Sequence, residues 1–577
     1  MLKTLMGEVK EYKRDSILSP IFVIMEVIME IIIPILMASI IDNGVEKSNI
    51  SHVWTMGALM VAIAMISMFC GVMSGKYAAR ASSGFAKNLR KAMYENIQTF
   101  SFANIDKYST PGLVTRLTTD VTNVQNAYQM IIRMCARSPF MLIFAMTMTF
   151  VVNRKLAMIF LVATIFLAIV LALIIAHTFP VFSMVFKKYD ALNASVQENV
   201  SAIRVVKAYV REDYEVNKFH TASNNLYKLF VQAEKLLTLN MPVMQFTVYS
   251  CILLLSWLGA KMIVAGSLQT GELVSLFAYV MNVLVSLMMM SMAFVMIAMS
   301  KASADRIAEV INEKASLVNG ENPVYEVPDG SILFDHVNFA YQKDSENKVL
   351  NEINCEIKAG ETIGIIGGTG SAKTSFVQLI PRLYDVTGGC VKVGGIDVRE
   401  YDIETLRDQV AMVLQNNVLF SGTINDNMRW GKKDATQEEI IRACRLSQAD
   451  EFVQTLPDKY ETYIEQGGTN VSGGQKQRLC IARALIKKPK ILILDDSTSA
   501  VDTRTDSLIR QAFATEIPDT TKLIIAQRIT SVQDADRIIV MNDGMIDAIG
   551  THEELLTDNM IYRDVYESQV KGAAENE

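Results

Sequence analysis

Positive charge is in short supply in this chain. Only 20% of its 577 residues are charged, acids outnumber bases 61 to 55, and the formal net charge of −6 leaves no basic footprint for nucleic acid. The seven cysteines (Cys70, Cys135, Cys251, Cys355, Cys390, Cys444, Cys480) show no paired spacing, so no disulfide framework is expected, only thiols in a reducing compartment. Histidine is rarer still, at five positions. Internal repeats and low-complexity tracts are missing, apart from a short polar end. What the chain does have is apolar length, with 50% hydrophobic residues concentrated in its first half. A chain of this size exceeds one core, and its positive mean hydropathy places part of it in lipid.

Six apolar stretches have spanning length: Ile17 to Ile41, Val53 to Gly75, Pro139 to Val152 with its preceding turns, Leu156 to Phe179, Met241 to Val264 and Leu273 to Met299. Each reaches across a hydrocarbon core of about 30 Å. Lys3, Lys10, Lys13 and Arg14 precede the first, and Lys/Arg are plentiful around Lys87 to Arg116 and Lys187 to Arg211, which puts those segments on the cytoplasmic side. Asn153, Arg154 and Lys155 run mildly against that bias. A cleavable signal peptide is not expected, because the first apolar run is too long and leads directly into a second.

The two long connections, Lys76 to Arg133 and Phe179 to Asn240, are poor in Gly and Pro and have helical periodicity. They read as helix hairpins whose tips stand roughly 40 Å from the lipid. At the first tip, Ser109 to Gly112 make a break, with Thr110 or Ser109 as cap of a short following helix; the second tip falls near Gln197, Glu198 and Asn199. Such tips are either ordinary turns or the points on which a soluble domain pushes.

After about residue 310 the sequence turns polar and glycine-punctuated. Residues 1–310 are read as an all-α polytopic membrane domain, 311–330 as a linker, 331–568 as an α/β nucleotide-binding domain and 569–577 as a polar tail. Strands are expected at SILFDHVNFAY from Ser331, VLNEINCEI from Val349 and ETIGIIGG from Glu361, with a helix over Gln437 to Leu456 and buried strands at Lys490 to Leu494 and Lys522 to Ala526. The third strand runs into Gly367, Gly368, Thr369, Gly370, Ser371, Ala372, Lys373, Thr374 and Ser375, a phosphate loop whose last glycine is replaced by Ala372. Its chemistry needs backbone amides facing phosphate oxygens at a helix N-terminus, Lys373 on the outer phosphates and the Thr374 hydroxyl on Mg²⁺. Alanine in the last glycine's place is harmless at negative φ and costs about 1 kcal/mol or more at positive φ. Asp495 ends the apolar strand Ile491 to Leu494, where a carboxylate holds Mg²⁺ directly or through water. Strand, phosphate loop, helix and acid-ended strand follow one another as in a P-loop ATPase that binds ATP and Mg²⁺.

A third element, Val471 followed by Ser472, Gly473, Gly474 and Gln475, resembles the signature of the ATP-binding-cassette (ABC) family, in which serine, glycine amides and a helix N-terminus face a phosphate of the opposite subunit. That resemblance extends over about 560 residues and implies an exporter-type half-transporter, six spans followed by one cassette, needing a second half-transporter to complete its sites. It identifies Tyr341 as the ring on adenine, Gln415 as the sensor of γ-phosphate and metal, and Ser499, Ala500, Val501 and Asp502 as the loop between two sites. It also implies a multi-pass plasma-membrane protein with cassette and both termini cytoplasmic. Fusion of spans and cassette in this order speaks against an importer.

The chain departs from the family pattern at three places. Asp496 stands where the catalytic glutamate is expected, Gln527 where the switch histidine is expected, and Ala372 in the phosphate loop. A misplacement of roughly 1 Å at a reacting centre costs on the order of 100-fold in rate. Glutamine binds a phosphate oxygen without carrying histidine's charge. The expectation is therefore a degenerate, slow site whose partner is a non-identical half carrying the complete residues; the other reading is an ATP-gated regulatory subunit. The order Glu465, Gln466, Gly467, Gly468 ahead of the signature leaves open which acid meets the hairpin tips.

Cargo is less legible. Glu26 and Glu30 share one helix face at lipid depth, either lining a cavity for cationic or amphipathic cargo or hydrogen-bonding between helices in protonated form. Methionine crowds the sixth span (Met281, Met288, Met289, Met290, Met292, Met296, Met299), as a repacking surface or as ordinary packing against helices and lipid. Drug-like amphiphiles, lipids and peptides all fit.

Overall fold

The computed structural model describes residues 1–342, 347–497 and 500–574. Contacts divide the chain into two compact units, Met1–Gln98 with Thr110–Glu313, and Thr99–Ser109 with Lys314–Glu577.

The first unit is helical throughout. Among the described residues, six helical segments are long and apolar enough to cross a membrane, and each contains one of the stretches expected from sequence. Several run far past the lipid: Ile50–Gln98 has 49 residues and Thr270–Asn312 has 43, lengths of about 65–75 Å. Their ends are capped locally. Asn153 accepts hydrogen bonds from Lys155 N at 3.0 Å and Leu156 N at 3.2 Å, starting Arg154–Ser201; Glu272 folds back on Gln269 N at 2.9 Å to start Thr270–Asn312. The core joins Val23, Val27 and Ile31 of the first helix to Tyr279, Val283 and Leu287 of the last, and the Tyr279 hydroxyl donates to Ile31 O at 2.9 Å.

Both hairpin tips differ from expectation. At the first, a short helix does follow Ser109, at Thr110–Thr115, but another that was not expected, Phe102–Tyr108, precedes it, capped by Ser101 in a reciprocal box with Asn104. Ser109, at φ +56°, ends that helix, and Thr110–Thr115 and a π-turn at Arg116–Asp120 lead into Val121–Val152. At the second tip the helix continues through Gln197, Glu198 and Asn199 to Ser201, and the turn is made around Ile203–Ala208 and Val210, at φ +52°. Gln197 and Glu198, which looked like a turn, are exposed polar positions of the continuing helix.

The pair Glu26 and Glu30 also takes a form not foreseen. Arg137 Nη1 donates to Glu26 Oε1 at 2.7 Å and Nη2 to Glu30 Oε2 at 2.6 Å, so both acids of Lys13–Ser39 meet a cation on Val121–Val152. This is an ion triad between helices, where protonated acids or open cargo contacts had been the alternatives. Low polarity makes an ion without its partner costly.

In the second unit, strands β1 (Ile332–Phe339), β2 (Leu350–Ile357), β4 (Gly388–Val393) and β5 (Ile396–Asp397) form an antiparallel sheet in the order β2-β1-β4-β5. A six-stranded sheet is built from β3 (Thr362–Gly367), β6 (Val410–Val413), β9 (Ile491–Asp495), β10 (Thr521–Ile525), β11 (Arg537–Asn542) and β12 (Met545–Gly550), in the order β12-β11-β3-β10-β9-β6. Short β7 (Gly422–Thr423) and β8 (Tyr463–Ile464) pair separately. Strands β9 and β10 are buried at every residue, Thr521 and Lys522 included, as strands inside a parallel sheet covered on both faces should be. The helix expected over Gln437 to Leu456 is two, Gln437–Leu446 and Asp450–Thr455, parted at Gln448 with φ +56°. Part of the expected polar tail is helical too, within Met560–Ala574.

Arg137→Met should cost about 3 kcal/mol by leaving two carboxylates without their cation, whereas adding Glu26→Gln and Glu30→Gln should recover most of it. Thermal unfolding in lipid nanodiscs checks this, and equal losses in both variants would contradict the triad.

Candidate functional site

The carboxyl ends of β3, β10 and β9 lie side by side, with Ile365 opposite Ile525 and Ile525 opposite Asp495. The chain leaves β3 at Gly367, where an added Cβ would sit 2.2 Å from Met541 O, so only glycine admits the neighbouring strand so closely. It then turns through Gly368, Thr369, Gly370 and buried Ser371 into the helix Lys373–Gln378. Ala372 immediately precedes that helix at φ +69°, ψ 21°, the left-handed conformation that makes alanine costly here. Lys373 Nζ donates to Gly367 O at 2.9 Å, Gly368 O at 2.8 Å and Ser371 Oγ at 3.2 Å, holding the loop around its own ammonium. Burial lowers the Lys373 pKa, against the opposing pull of Asp495 and Asp496.

Thr374 Oγ1 donates to Asp495 Oδ1 at 3.1 Å, reaching across β10 to the end of β9. Asp495 is 2% exposed, and its other oxygen, Oδ2, is buried without a hydrogen-bond partner. Burial raises its pKa, and the neighbouring Asp496 adds to the rise. An orphan carboxylate oxygen beside a threonine hydroxyl is a donor set suited to a hard divalent cation, so these residues fit Mg²⁺. Asp496 follows at φ +47°, its amide bonded to Ile525 O at 3.1 Å. Gln527 Nε2 donates to Asp496 Oδ2 at 2.8 Å, and the Gln415 side chain also hydrogen-bonds it. Burial raises the Asp496 pKa, and these two amides oppose the rise.

Tyr341 lies beside the same loop, 47% exposed, its hydroxyl sharing a 2.8 Å hydrogen bond with that of Ser375. A half-open aromatic face next to a phosphate loop is a stacking surface for a planar base.

The turn at Ser472 to Gln475 is built by reciprocal capping: Ser472 Oγ accepts from Gln475 N at 3.3 Å, and Gln475 Oε1 accepts from Ser472 N at 3.0 Å. The helix Gly473–Ile486 that it opens points bare amides outward at its start. Its described contacts lead to Ala500. Gln477 Oε1 accepts from Ala500 N at 3.1 Å, and a Cβ on Gly474 would come within 2.8 Å of Ala500 O. Asp502 caps Thr503–Glu516 through Thr505 N at 2.9 Å, and that backbone hydrogen bond holds its carboxyl below the usual range. Ser499 lies outside the described residues.

One group of expected residues is thus brought together: Tyr341, the loop 367–375, Gln415, Asp495, Asp496 and Gln527. Ser472 to Gln475 form a second group with Ala500. Gln477 was missed, although its place two residues after Gln475 in GGQKQR puts it in the opening turn of the helix. Arg137 was missed as well; an arginine inside an apolar run is itself a signal for a buried acid.

Residues 16–305 match the family model described as the ABC transporter transmembrane region, and residues 350–499 the model described as ABC transporter. An uncharacterized ABC transporter ATP-binding protein, YfiB of Bacillus subtilis, is 38% identical over 536 residues, 93% of each chain. The chain belongs to the ABC transporter family. This ABC half-transporter is also 30% identical over 583 residues to the ATP-dependent lipid A-core flippase of Desulfotalea psychrophila, covering 99% of each chain. Its fold matches that of a bacterial Atm1-family ABC exporter with ATP bound, with a TM-score of 0.83, 22% identity and coverage of 96% of this chain and 99% of the other. It is therefore a multi-pass ABC transporter half, of a family in which ATP hydrolysis is coupled to transport.

Two outcomes follow from the geometry. Ala372→Gly should relieve about 1 kcal/mol of left-handed strain and stabilise the folded cassette by that amount, measurable by unfolding; no change would mean that the loop loses nothing to alanine. Asp495→Asn should stabilise the nucleotide-free protein by about 1 kcal/mol, because a buried charge disappears, and abolish the Mg²⁺-dependent part of ATP binding. Melting curves with and without Mg²⁺ and ATP check both signs.

Proposed function

We propose that this half-transporter holds ATP and Mg²⁺ at a slow site of its own and lends its signature to the catalytic site of a non-identical partner half. Tyr341 would stack on adenine, the amides of Gly368 to Thr374 and Lys373 would take the phosphates, and Thr374, Asp495 and Gln415 would hold Mg²⁺, which neutralises phosphate charge when bound. Closure of the paired cassettes would then drive alternating access of a membrane cavity, with the cassette cytoplasmic.

The observation that carries the slow-site reading is the state of Asp496. It is one methylene shorter than glutamate, it accepts hydrogen bonds from Gln527 and Gln415, and its switch partner is a neutral amide. An acceptor already engaged by amide donors, on a side chain one methylene short of reaching the attacking water as glutamate would, is a poor general base. The signature turn, by contrast, has every feature needed to serve another subunit's phosphate: serine cap, outward amides and helix N-terminus.

A second chain is further supported by apolar surface in each unit. Tyr209 and Val210 at the second hairpin tip are 74% and 80% exposed, and Trp430 in the cassette is 64% exposed, stacked on Phe420 at 4.1 Å. For cargo, amphipathic drug-like molecules, lipids or peptides remain the class proposed; the lipid flippase among the relatives supports it. Two carboxylates against one guanidinium leave the Glu26, Glu30 and Arg137 triad one formal negative charge in excess, which favours a cationic head group over an anionic one.

The test is turnover by the chain alone and with its partner half. Alone it should hydrolyse ATP on the order of 100-fold more slowly than the pair. Within the pair, Asp496→Asn should change turnover by less than about threefold, whereas Ser472→Ala should lower it at least about tenfold. Brisk hydrolysis by the chain alone, or the reverse ranking of the two substitutions, would defeat the asymmetric reading.

A further inference from the structure

Tyr384 lies outside every motif discussed so far. Its hydroxyl donates to Asp106 Oδ2 at 2.7 Å, on the short helix Phe102–Tyr108, and its ring lies 6.0 Å from that of Phe102. On its other side it meets Tyr341 edge-on, with centroids 5.2 Å apart and planes at 85°, and Phe339 at 5.7 Å. Tyr341 in turn shares its hydroxyl hydrogen bond with Ser375, the last residue of the phosphate loop. The approach to Tyr384 is rigid: Arg382, 5% exposed, donates to Asp385 Oδ1 at 2.8 Å and to the carbonyls of Val318 and Arg399 at 3.3 Å. The short helix is likewise fastened. Asn104 Nδ2 donates to Lys314 O at 3.1 Å, and its Oδ1 accepts from Ser316 N at 3.0 Å.

These contacts form an unbroken series of close neighbours: phosphate loop, Ser375, Tyr341, Tyr384, Asp106. Residues Thr99–Ser109 belong by their contacts to the same compact unit as the cassette, although the chain on both sides of them belongs to the other. A planar base settling on the open face of Tyr341 fixes the orientation of that ring. An edge-on neighbour must follow, because rotating either ring closes the space the other occupies. The Tyr384 hydroxyl is a direct polar link from this ring pair to the short helix.

We propose that Tyr384 is a positioning residue that couples occupation of the Tyr341 face by nucleotide to the setting of helix Phe102–Tyr108 through its hydrogen bond to Asp106. The inference rests on the reading of Tyr341 as the adenine contact. Tyr384 itself touches no nucleotide in this scheme; it acts through Tyr341 on one side and Asp106 on the other.

The test uses the full chain with its partner half in lipid nanodiscs, with ATP affinity measured beside amide hydrogen exchange of residues 102–108, with and without ATP. In the unaltered protein ATP should slow exchange of this segment. Tyr384→Phe keeps the ring contacts and removes only the hydroxyl; it should leave ATP affinity within about twofold and reduce the ATP-dependent change in exchange about fivefold, the scale of one hydrogen bond. Asp106→Ala should do the same, whereas Asp106→Asn, which keeps an acceptor oxygen, should retain the response. An undiminished response in both Tyr384→Phe and Asp106→Ala would overturn the proposal, and so would a loss of ATP affinity in Tyr384→Phe matching its loss of response. If the unaltered protein binds ATP but the segment does not respond, the coupling alone falls; if it binds no ATP, the nucleotide-site reading falls first.

Discussion

Two adjoining carboxylates buried at the end of one strand set the terms for the whole cassette. Asp495 and Asp496 are 2% and 9% exposed, and burial raises the pKa of both. Without compensation such a pair would destabilise the carboxyl end of β9, so the surrounding elements supply what they can: the Thr374 hydroxyl, the Gln527 and Gln415 amides and, at longer range, Lys373. The supply is incomplete, since one Asp495 oxygen finds no donor. That shortfall fits the site for the cation of the proposed nucleotide, and the parallel run of β3, β10 and β9 with their carboxyl ends aligned is what brings its groups together.

Backbone strain gathers at the same place. Ala372 and Asp496, both non-glycine, hold positive φ on either side of the site, one ahead of the helix that carries Lys373 and the other directly after β9. Each costs of order 1 kcal/mol, and such costs persist where the surroundings over-determine the geometry. Here the flanking strands do so: β3 is held between β10 and β11, β9 between β6 and β10. Strain at Ala372 lies in the backbone and removes no group that could hold phosphate, whereas the departure at Asp496 is in the length of its side chain.

The elements legible in the sequence were those whose signal is local. Apolar runs of spanning length, the glycine-rich loop after a strand and the acid ending an apolar strand each depend on residues a few positions apart. What escaped depended on distant partners. Arg137 is an unremarked residue beside Pro139 until the first helix brings Glu26 and Glu30 to it. Ser101 is an ordinary cap candidate, overlooked because the Ser109 break drew notice to the helix that follows it, Thr110–Thr115, and away from the one before it. The sign of φ at Ala372 decides whether alanine is neutral or strained there, and no pattern in GGTGSAKTS reveals it. Gln448 splits a helix whose periodicity continues across the break, since the apolar face of DEFVQT resumes the pattern of QEEIIRACRL.

The helix Phe102–Tyr108 shows why a link between chemistry and movement need not be large. Seven residues are too few to be helical on their own in water, because nucleating the first turn outweighs the few hydrogen bonds that follow. Its order is therefore borrowed: from the Ser101 and Asn104 box, from the segment Lys314 to Ser316, and from Tyr384. A segment whose structure depends on its dock cannot stay indifferent to changes in that dock, and it is continuous through Thr99 with the 49-residue helix Ile50–Gln98. Covalent continuity on one side and borrowed order on the other are what the proposed coupling through Tyr384 would use.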